Sequence, residues 1–319
     1  MGRRTLALSS HLTLLPIVLG PTGSGKSELA IHLAQRLGGE IVNYDSLQIY
    51  RGFDIGTAKV PEPERRGVPH HLTDAIEPGR LFTAGDYVRQ ARASLQEIAA
   101  RQRIPVLVGG TGLYLRALLE GLSQGPPRDP AIRARLERRG EKRPLSLHRI
   151  LSRLDAAAAA RIHSNDKKKI IRALEVRLLE GRPISELFSL GRDPLTGFRP
   201  IKLGLNPPRE VLNRRLDART VRIFEAGLLE EARALLANGV SRQAKPFESI
   251  GYKQALLALE GRFTLEQAVR STQLETRRYA KRQTTWFRKE PGVQWLEGFG
   301  DHPEVQARAL ALVEREFAF

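Results

Sequence analysis

The segment GPTGSGKS at residues 20–27 constrains the fold more than any other part of the sequence. Gly20 is followed by four residues and then by Gly25, Lys26 and Ser27, the spacing of a loop whose backbone N–H groups surround a phosphate chain. The apolar segment PIVL precedes this loop, and ELAIHLAQRL follows it with the spacing of an amphipathic helix. The pattern therefore predicts a strand, a phosphate-binding loop and a helix, with the Lys26 ammonium on the phosphates and the Ser27 hydroxyl as a ligand of Mg²⁺.

Two further apolar segments predict neighbouring strands of the same sheet. EIVNY ends immediately before Asp45, and IPVLV ends at Gly109, Gly110 and Thr111, where a helical pattern begins. Ligands of open parallel sheets bind at the carboxyl ends of the strands, so we expect Asp45 and Thr111 to lie near the phosphate loop. The predicted class is α/β, with a P-loop NTPase-like parallel sheet as its core.

The character of the sequence changes after about residue 124. SQGPPRDP reads as a linker, residues 131–190 show helical spacing with almost no strand signal, and a strand-like segment, FRPIKLGLN, begins at residue 198. We predict a catalytic core of residues 1–124 and 198–319 with basic C-terminal helices, interrupted by a helical insertion domain at 125–197. Within the second part of the core, Asn206 and Pro207 should open one long helix that ends at Asn238 and Gly239.

Charge and cysteine content restrict the classes of partner and chemistry. The 319 residues contain 52 Lys and Arg against 35 Asp and Glu, a formal net charge of +17, which is typical of a protein that meets nucleic acid or another polyanion. An Arg-rich genomic composition is the alternative explanation. The chain has no cysteine, which excludes disulfides, Cys-ligated zinc and thiol catalysis.

The apolar N-terminal segment does not read as a targeting signal. Ser9, Ser10 and His11 interrupt it, and its apolar end continues into the phosphate loop, which must stay in the fold. No apolar run reaches transmembrane length. We therefore expect a cytoplasmic protein with no membrane partner.

The second apolar strand lacks the acidic residue that most ATP-using enzymes of this architecture carry. A small-molecule kinase would usually hold Mg²⁺ with an Asp after that strand, whereas IPVLV is followed by Gly109 and Gly110. The nearest strand-end acid is Asp45. The kinase remains an alternative because small-molecule kinases vary in the position of this acid, and Asp45 by position alone could equally hydrogen-bond to the water ligands of Mg²⁺.

Seven segments occur in the order found in the tRNA dimethylallyltransferase (tRNA isopentenyltransferase) family, and nearly the whole chain resembles that family. They are GPTGSGKS, DSLQIYRGFDIGTAK, PHHLTDAIEP, VLVGGTGLYLRALLEGL, RIHSNDKKKIIRALEV, IGYKQ and KRQTTWFRK. The resemblance implies transfer of a dimethylallyl (isopentenyl) group from dimethylallyl diphosphate to the exocyclic N6 amine of the adenosine immediately 3′ of the anticodon in tRNA. Because eukaryotic relatives often carry a zinc finger and this chain has no cysteine, it resembles the bacterial type.

The resemblance also implies roles for residues of the core. Asp45 matches the catalytic base that takes a proton from the attacking amine, Thr111 a threonine that contacts the diphosphate and helps to place the acceptor, and Arg219 an arginine that neutralises the diphosphate. From the sequence alone, Thr111 could instead cap a helix, and periodicity places Arg219 on a solvated helix face. The diphosphate, with Mg²⁺ on Ser27, is expected on Gly20, Pro21, Thr22, Gly23, Ser24, Gly25, Lys26 and Ser27.

The tRNA anticodon stem-loop is the implied acceptor, bound by a chain that we expect to be a monomer. Gln48 is placed to recognise the edge of the base, and Lys169 stands where the family usually has an arginine, which removes a bidentate contact. The expected RNA-binding residues are Asp45, Ser46, Leu47, Gln48, Thr111, Arg133, Asn165, Asp166, Lys167, Lys168, Lys169, Gly251, Tyr252, Lys253, Arg277, Arg278, Lys281, Arg282, Gln283 and Arg288.

Two basic segments support an RNA surface without the resemblance. Asn165 or Asp166 should cap a helix whose first turn carries three lysines, an arrangement that opposes the helix dipole unless an anion docks there; a plain solvated face is the alternative. The last long helix should begin at a capping box of Thr264 and Gln267 and end before Pro291, with a cationic stripe along one face. The stripe consists of Arg270, Arg277, Lys281 and Arg288.

Two other activities use the same core. Transfer of the prenyl group to a free adenine nucleotide would leave the helical insertion and the cationic helix without a partner, because a mononucleotide needs neither. A non-catalytic RNA-binding module would leave the phosphate loop and Asp45 without a role. The sequence therefore favours prenyl transfer to tRNA.

Overall fold

A computed structural model describes residues 12–122, 125–189 and 191–316 of the chain. The segment that contains Ser9, Ser10 and His11 lies outside these residues, as do the first two residues of the predicted linker. Among the described residues, no helix combines the length and the apolar character needed to cross a membrane. The strands are β1 Thr13–Leu19, β2 Glu40–Asn43, β3 His70–His71, β4 Pro105–Val108, β5 Phe198–Asn206 and β6 Val293–Glu297.

The described strands form one six-stranded sheet, ordered β3-β2-β4-β1-β5-β6, in which every neighbouring pair is parallel. β1 lies inside the sheet between β4 and β5, and both of these neighbours come from later parts of the chain. Because all the strands are parallel, the carboxyl ends of β1, β2 and β4 share one edge of the sheet. The predicted α/β class with a P-loop NTPase-like parallel sheet is confirmed.

Contacts divide the chain into two compact units. The first runs to Leu118 and resumes at Leu195, and the second is Leu119–Pro194. The first unit contains the sheet and the helices α1 Lys26–Leu37, α2 Ala84–Ala100, α9 Arg209–Glu225, α10 Leu228–Ala237, α11 Tyr252–Leu259, α12 Leu265–Phe287 and α13 Pro303–Arg315, together with most of α3 Gly112–Glu120. Apolar side chains of the sheet, α1 and α13 pack into one continuous core, which includes Val18, Leu29, Ile41, Leu203 and Leu310.

The second unit is helical throughout its described part. Its helices are α4 Pro130–Lys142, α5 Ser146–Leu154, α6 Ala156–Arg161, α7 Lys167–Glu180 and α8 Ile184–Ser189. Leu136, Leu147, Leu151, Ile170 and Leu174 pack together as its core. The insertion expected from the sequence, 125–197, begins and ends a few residues later than this unit.

The predicted long helix that follows β5 is wrong. The chain forms two helices there, because α9 ends at Glu225 and α10 begins at Leu228. Gly227 separates them in the left-handed region, with a φ of 97°, a conformation that a glycine adopts without strain. The predicted end is right, since α10 stops at Ala237 and Gly239 is again left-handed with a φ of 82°.

Candidate active site

The phosphate loop connects β1 to α1, as its sequence predicts. Gly25 adopts the left-handed conformation, with a φ of 84°, and leads the chain into α1, whose first two residues are Lys26 and Ser27. A β-carbon at Gly25 would lie 2.8 Å from the backbone nitrogen of Gly300, so only glycine fits there. The N–H groups of the first turn of α1 therefore face the region beyond β1, where an anion is favoured by the helix dipole.

Lys26 lies over this loop in a site that lowers the pKa of its ammonium group. Its Nζ donates a hydrogen bond to the carbonyl oxygen of Pro21 over 2.8 Å. Burial lowers the pKa of Lys26 to about 8; the carboxylate of Asp45 opposes this shift, and the guanidinium of Arg219 adds to it. A bound anion would favour the charged ammonium, so binding of the anion and protonation of Lys26 are linked.

Asp45 lies just beyond the end of β2 and is fixed by its neighbours in the turn. The side-chain oxygen of buried Asn43 accepts a hydrogen bond from the Asp45 backbone N–H, and the Asp45 carboxylate accepts one from the N–H of Leu47, each over 2.9 Å. The second carboxylate oxygen, Oδ2, lies beside Gly110, since a β-carbon there would be 3.3 Å from it. The carboxylate is thus held between the ends of β2 and β4.

Thr111 joins the same two strand ends through its hydroxyl group. Its Oγ1 accepts a hydrogen bond from the backbone N–H of Ser46 over 3.0 Å and donates one to the Ser46 hydroxyl over 3.1 Å. At the start of α3, it is the backbone carbonyl of Thr111 that accepts from the N–H groups of Tyr114 and Leu115. The hydroxyl therefore ties the Asp45 turn to the turn after β4.

Arg219 and two neighbouring arginines of α9 bring positive charge to the phosphate loop. The Arg219 guanidinium lies 3.5 Å from the Thr22 hydroxyl, and burial together with the nearby Arg215 and Arg222 lowers its pKa. Arg215 is held in place by a bidentate pair with Asp301, over 2.9 and 3.0 Å. The interpretation of Arg219 as a solvated helix face is wrong, because this face of α9 turns towards the loop.

One cavity of about 360 Å³ is lined by Lys26, Asp45, Arg215 and Arg219, whereas Thr111 is not among its lining residues. Cationic side chains of the loop and of α9 share it with the carboxylate of Asp45, so the cavity can hold an anion beside a proton acceptor. The part of the chain that the structure describes contains no group of three or more His, Asp or Glu side chains that could hold a metal. A metal here would rely on one or two protein oxygens and on the phosphates themselves, as Mg²⁺ commonly does.

Gln283 connects α12 to both loops of the cavity. Its side-chain oxygen accepts a hydrogen bond from the backbone N–H of Thr22 over 2.8 Å, and its amide nitrogen donates to the carbonyl of Gly110 over 3.0 Å. The side chain is 6% exposed. In this structure the Gln283 amide bridges the phosphate loop and the turn after β4, and its contact with RNA stays a prediction.

Several groups in the cavity were missed by the sequence analysis. Tyr279 precedes Gln283 by one helical turn on α12 and lines the cavity, and burial raises its pKa above the ordinary value of a phenol. This spacing of four residues was a usable signal once Gln283 was known to face the site. Other lining residues absent from the prediction are Asn43, Lys59, Arg215 and Arg222.

Comparison with known proteins assigns a family to this geometry. The family model described as IPP transferase matches residues 48–290, which is most of the chain. The chain belongs to the IPP transferase family. The family predicted from the sequence motifs is therefore confirmed.

Curated relatives match this IPP transferase over nearly its full length. The tRNA dimethylallyltransferase of Solibacter usitatus is 58% identical over 301 residues, covering 94% of this chain and 98% of the relative. The tRNA dimethylallyltransferase of Koribacter versatilis is 53% identical over 302 residues and also covers 94% of this chain and 98% of the relative.

Two solved structures are also similar to this IPP transferase. The tRNA isopentenylpyrophosphate transferase of Bacillus halodurans has a TM-score of 0.70 at 37% identity and covers 96% of this chain and 98% of its own. A eukaryotic dimethylallyltransferase acting on tRNA has a TM-score of 0.82 at 28% identity and covers 96% of this chain and 80% of its own. The prediction of a prenyl-transferring enzyme is confirmed at the level of the family.

The expected RNA-binding residues of α12 divide into exposed and engaged side chains. Arg278, Lys281 and Arg288 are exposed and line a second cavity of about 610 Å³, and Arg282 is also exposed. Arg277 lines the same cavity, but its guanidinium pairs with both oxygens of Asp217 over 2.6 and 2.5 Å. In this IPP transferase, Arg277 therefore also ties α12 to α9. The predicted capping box of Thr264 and Gln267 is present.

Two expected RNA contacts near the α11 start are buried. Gly251 precedes α11 in the left-handed region, and the Tyr252 side chain is 0% exposed; contact of these residues with RNA stays a prediction. Lys253 is exposed. Gln48, expected to recognise a base edge, lines the cavity, and its amide nitrogen donates hydrogen bonds to the carbonyls of Thr57 and Ala58, over 3.1 and 3.2 Å. Its amide nitrogen therefore also holds a neighbouring loop.

In the helical unit, one expected contact is part of the core and the others are exposed. Arg133 pairs with the fully buried carboxylate of Glu175 over 3.1 Å, and Arg172 pairs with the same carboxylate over 2.8 Å. Removal of Arg133 would leave a buried charge less compensated, and its contact with RNA stays a prediction. Asp166 caps α7 and pairs with Lys169 over 2.8 Å. Exposed side chains at this helix end are Asn165, Lys167, Lys168 and Lys169.

Proposed function

We propose that this chain transfers a dimethylallyl group from dimethylallyl diphosphate to the N6 amine of the adenosine immediately 3′ of the anticodon in tRNA, releasing diphosphate. The observation that carries the proposal is the shared cavity of Lys26, Arg219 and Asp45, in which cations suited to a leaving diphosphate lie near the Asp45 carboxylate. The relatives are named as enzymes of this reaction class. Asp45 and the strand-end turns then correspond to the acceptor side of the cavity.

The loop at residues 20–27 binds the leaving diphosphate group. Its backbone N–H groups and the Lys26 ammonium bind the diphosphate, and Arg219, beside the Thr22 hydroxyl, neutralises the charge that develops as the allylic C–O bond breaks. The Ser27 hydroxyl is the protein oxygen that would hold Mg²⁺ in this cavity. When bound, Mg²⁺ supplies further neutralisation of the diphosphate.

Asp45 accepts the proton of the attacking amine. The N6 nitrogen attacks the allylic carbon, the new N–C bond replaces the C–O bond, and the proton of the amine goes to the Asp45 carboxylate. An adenine amine is a poor nucleophile because its lone pair is delocalised into the ring, so a fixed proton acceptor is required. The hydrogen bonds from Leu47 and to Asn43 hold the carboxylate in one orientation for this step.

The acceptor is part of an anticodon stem-loop. A stacked base hides its exocyclic amine, so the adenosine must leave the stack to reach Asp45. The exposed cations of α12 and the lysines at the start of α7 are proposed contacts with the RNA backbone, which supplies most of the affinity in such complexes. A monomer acting in the cytoplasm belongs to the same proposal.

The proposal is tested by mass spectrometry of an anticodon stem-loop after incubation with the protein, dimethylallyl diphosphate and Mg²⁺. We expect one added prenyl mass on the adenosine 3′ of the anticodon and none on a matched loop with guanosine at that position. Adenosine monophosphate and ATP are offered in parallel reactions. Modification of the free nucleotide at the rate of the stem-loop, or consumption of ATP faster than of dimethylallyl diphosphate, would replace this proposal by one of the alternatives.

A further inference from the structure

The loop Phe53–Val60, here the FDIGTAKV loop, forms one wall of the candidate active-site cavity. Thr57, Ala58, Lys59 and Val60 line the cavity together with Lys26 and Asp45. The loop belongs to no helix or strand, so its shape depends on contacts made by its backbone. Those contacts identify residues with a role in the reaction.

Three consecutive backbone N–H groups of the loop bind to two side chains from α10 and α11. The N–H groups of Asp54 and Ile55 donate to one carboxylate oxygen of Glu231, over 3.1 and 3.0 Å, and the N–H of Gly56 donates to the Tyr252 hydroxyl over 3.2 Å. The same hydroxyl donates its proton to the other oxygen of Glu231. One carboxylate and one phenol therefore form a connected network with the loop.

Close packing surrounds this network. The Tyr252 side chain is 0% exposed, and its ring packs edge-to-face against Phe53, with centroids 4.9 Å apart. A β-carbon at Gly56 would collide with the Tyr252 ring, so the loop backbone approaches the ring as closely as glycine allows. Burial and the Glu231 carboxylate raise the pKa of Tyr252, which keeps the phenol protonated as a hydrogen-bond donor.

The opposite side of the loop is held by the segment that follows β2. Gln48 donates to the carbonyls of Thr57 and Ala58, and the buried ammonium of Lys59 donates to the carbonyl of Tyr50. Ala58 has a φ of 49°, a left-handed conformation that is unfavourable for alanine. The surroundings must stabilise this conformation, so weakening either set of contacts should change the cavity wall.

We propose that Glu231 and Tyr252 are positioning residues that hold the FDIGTAKV loop in the shape required to bind the prenyl diphosphate. The inference rests on the proposed function. Neither side chain lines the cavity, so each acts through the loop backbone and not by contact with the substrate. Their loss should raise the KM for dimethylallyl diphosphate and leave the affinity for the stem-loop unchanged.

The test uses Tyr252→Phe, which keeps the ring and removes the hydroxyl, and Glu231→Gln, which keeps the shape and removes one acceptor. Glu230→Gln is the matched control, since the neighbouring Glu230 is 68% exposed and lies 3.8 Å from Arg233. In both test variants we expect faster hydrogen exchange at the amides of residues 54–56 and a KM for dimethylallyl diphosphate raised about 5–100-fold, the range for a buried group left without its partner. The control should match the parent protein.

The double variant separates a shared network from two independent contacts. Because both side chains act on the same three amides, it should raise the KM little more than the stronger single variant. The dissociation constant for inorganic diphosphate with Mg²⁺, measured by calorimetry, should also rise in each variant. This measurement and the exchange rates need no prenyl transfer, so they test the positioning role even if the proposed reaction fails.

Three results would overturn the inference. Unchanged exchange at residues 54–56 would show that the side chains do not hold the loop. A lower melting temperature with an unchanged KM for the folded fraction would reduce both residues to general stability. Weaker binding of the stem-loop with an unchanged KM would support the RNA contact that the sequence suggested for Tyr252.

Discussion

Replacement of Asp45 by asparagine removes the proposed proton acceptor and keeps the size of the side chain. The asparagine oxygen can still accept the hydrogen bond from the N–H of Leu47, which lies 2.9 Å from the carboxylate oxygen in the parent protein. The hydrogen bond from the backbone N–H of residue 45 to Asn43 is unaffected. A positioned base contributes about 10²–10⁴ in rate. We therefore expect single-turnover prenyl transfer to fall by that factor, equivalent to about 2.7–5.4 kcal/mol of barrier.

The same change also acts on Lys26, and the assay must separate the two effects. The Asp45 carboxylate raises the pKa of Lys26, so its removal lowers that pKa further below about 8. Rates are therefore compared at a pH well below that value and with saturating dimethylallyl diphosphate and RNA, where Lys26 is protonated in both proteins. Glu64→Gln, which removes another carboxylate that lines the cavity, serves as the matched control and should lose much less rate.

A series of Mg²⁺ concentrations decides between the two roles left open for Asp45. If the carboxylate only holds the water ligands of Mg²⁺, more metal should restore the rate of Asp45→Asn. Rescue to near the parent rate would refute Asp45 as the base, and so would a loss no larger than that of Glu64→Gln. Affinity for the stem-loop should change little, because backbone contacts elsewhere supply most of it.

Three further predictions follow from the same contacts. Joint replacement of Arg278, Lys281 and Arg288 by alanine should reduce the slope of log affinity for the stem-loop against log salt by about 0.7–0.9 per lost phosphate contact, and an unchanged slope would remove α12 from the RNA surface. Because the pKa of Lys26 is about 8 in the free protein, affinity for diphosphate should weaken as pH rises from 7 to 9, by up to about tenfold per unit above that pKa, and Lys26→Arg should flatten this dependence in calorimetry. Gln283→Leu leaves two backbone groups without their hydrogen-bond partner, at a cost of about 1–3 kcal/mol each. The dissociation constant for diphosphate should therefore rise, while salt-dependent RNA binding should persist. Wild-type affinity for diphosphate would contradict the role of Gln283 as a bridge.

Local sequence patterns were sufficient for the parts of the site that lie within a few residues of one strand end. The phosphate loop, Asp45 and Thr111 were located because the motif spacing and the strand ends fix their positions. Helix ends were equally local, as the capping box at Thr264 shows. The break at Gly227 was missed because the helical spacing continues on both sides of it.

Contacts between distant parts of the chain could not be predicted in this way. Gln283 bonds to Thr22 across 261 positions, and Tyr252 bonds to Gly56 across 196 positions. Motif resemblance marked Gln283 and Tyr252 as important but could not say which side of each helix is buried. Periodicity misplaced Arg219 for a related reason: a half-buried cation beside an anion site has the same spacing as a solvated one.

The position of β1 inside the sheet affects how the protein folds during its synthesis on the ribosome. β1 pairs with β5 along its whole length, from Thr13 opposite Phe198 to Leu19 opposite Gly204, and the entire helical unit is synthesised between these partners. At about 5–20 residues per second, the apolar edge of β1 stays unpaired for roughly 10–40 s. A free, apolar strand edge is a site of aggregation. Slow synthesis after residue 118, or a chain that stops within the helical unit, should therefore yield insoluble product, and a chaperone that covers β1 during this interval should raise the soluble yield.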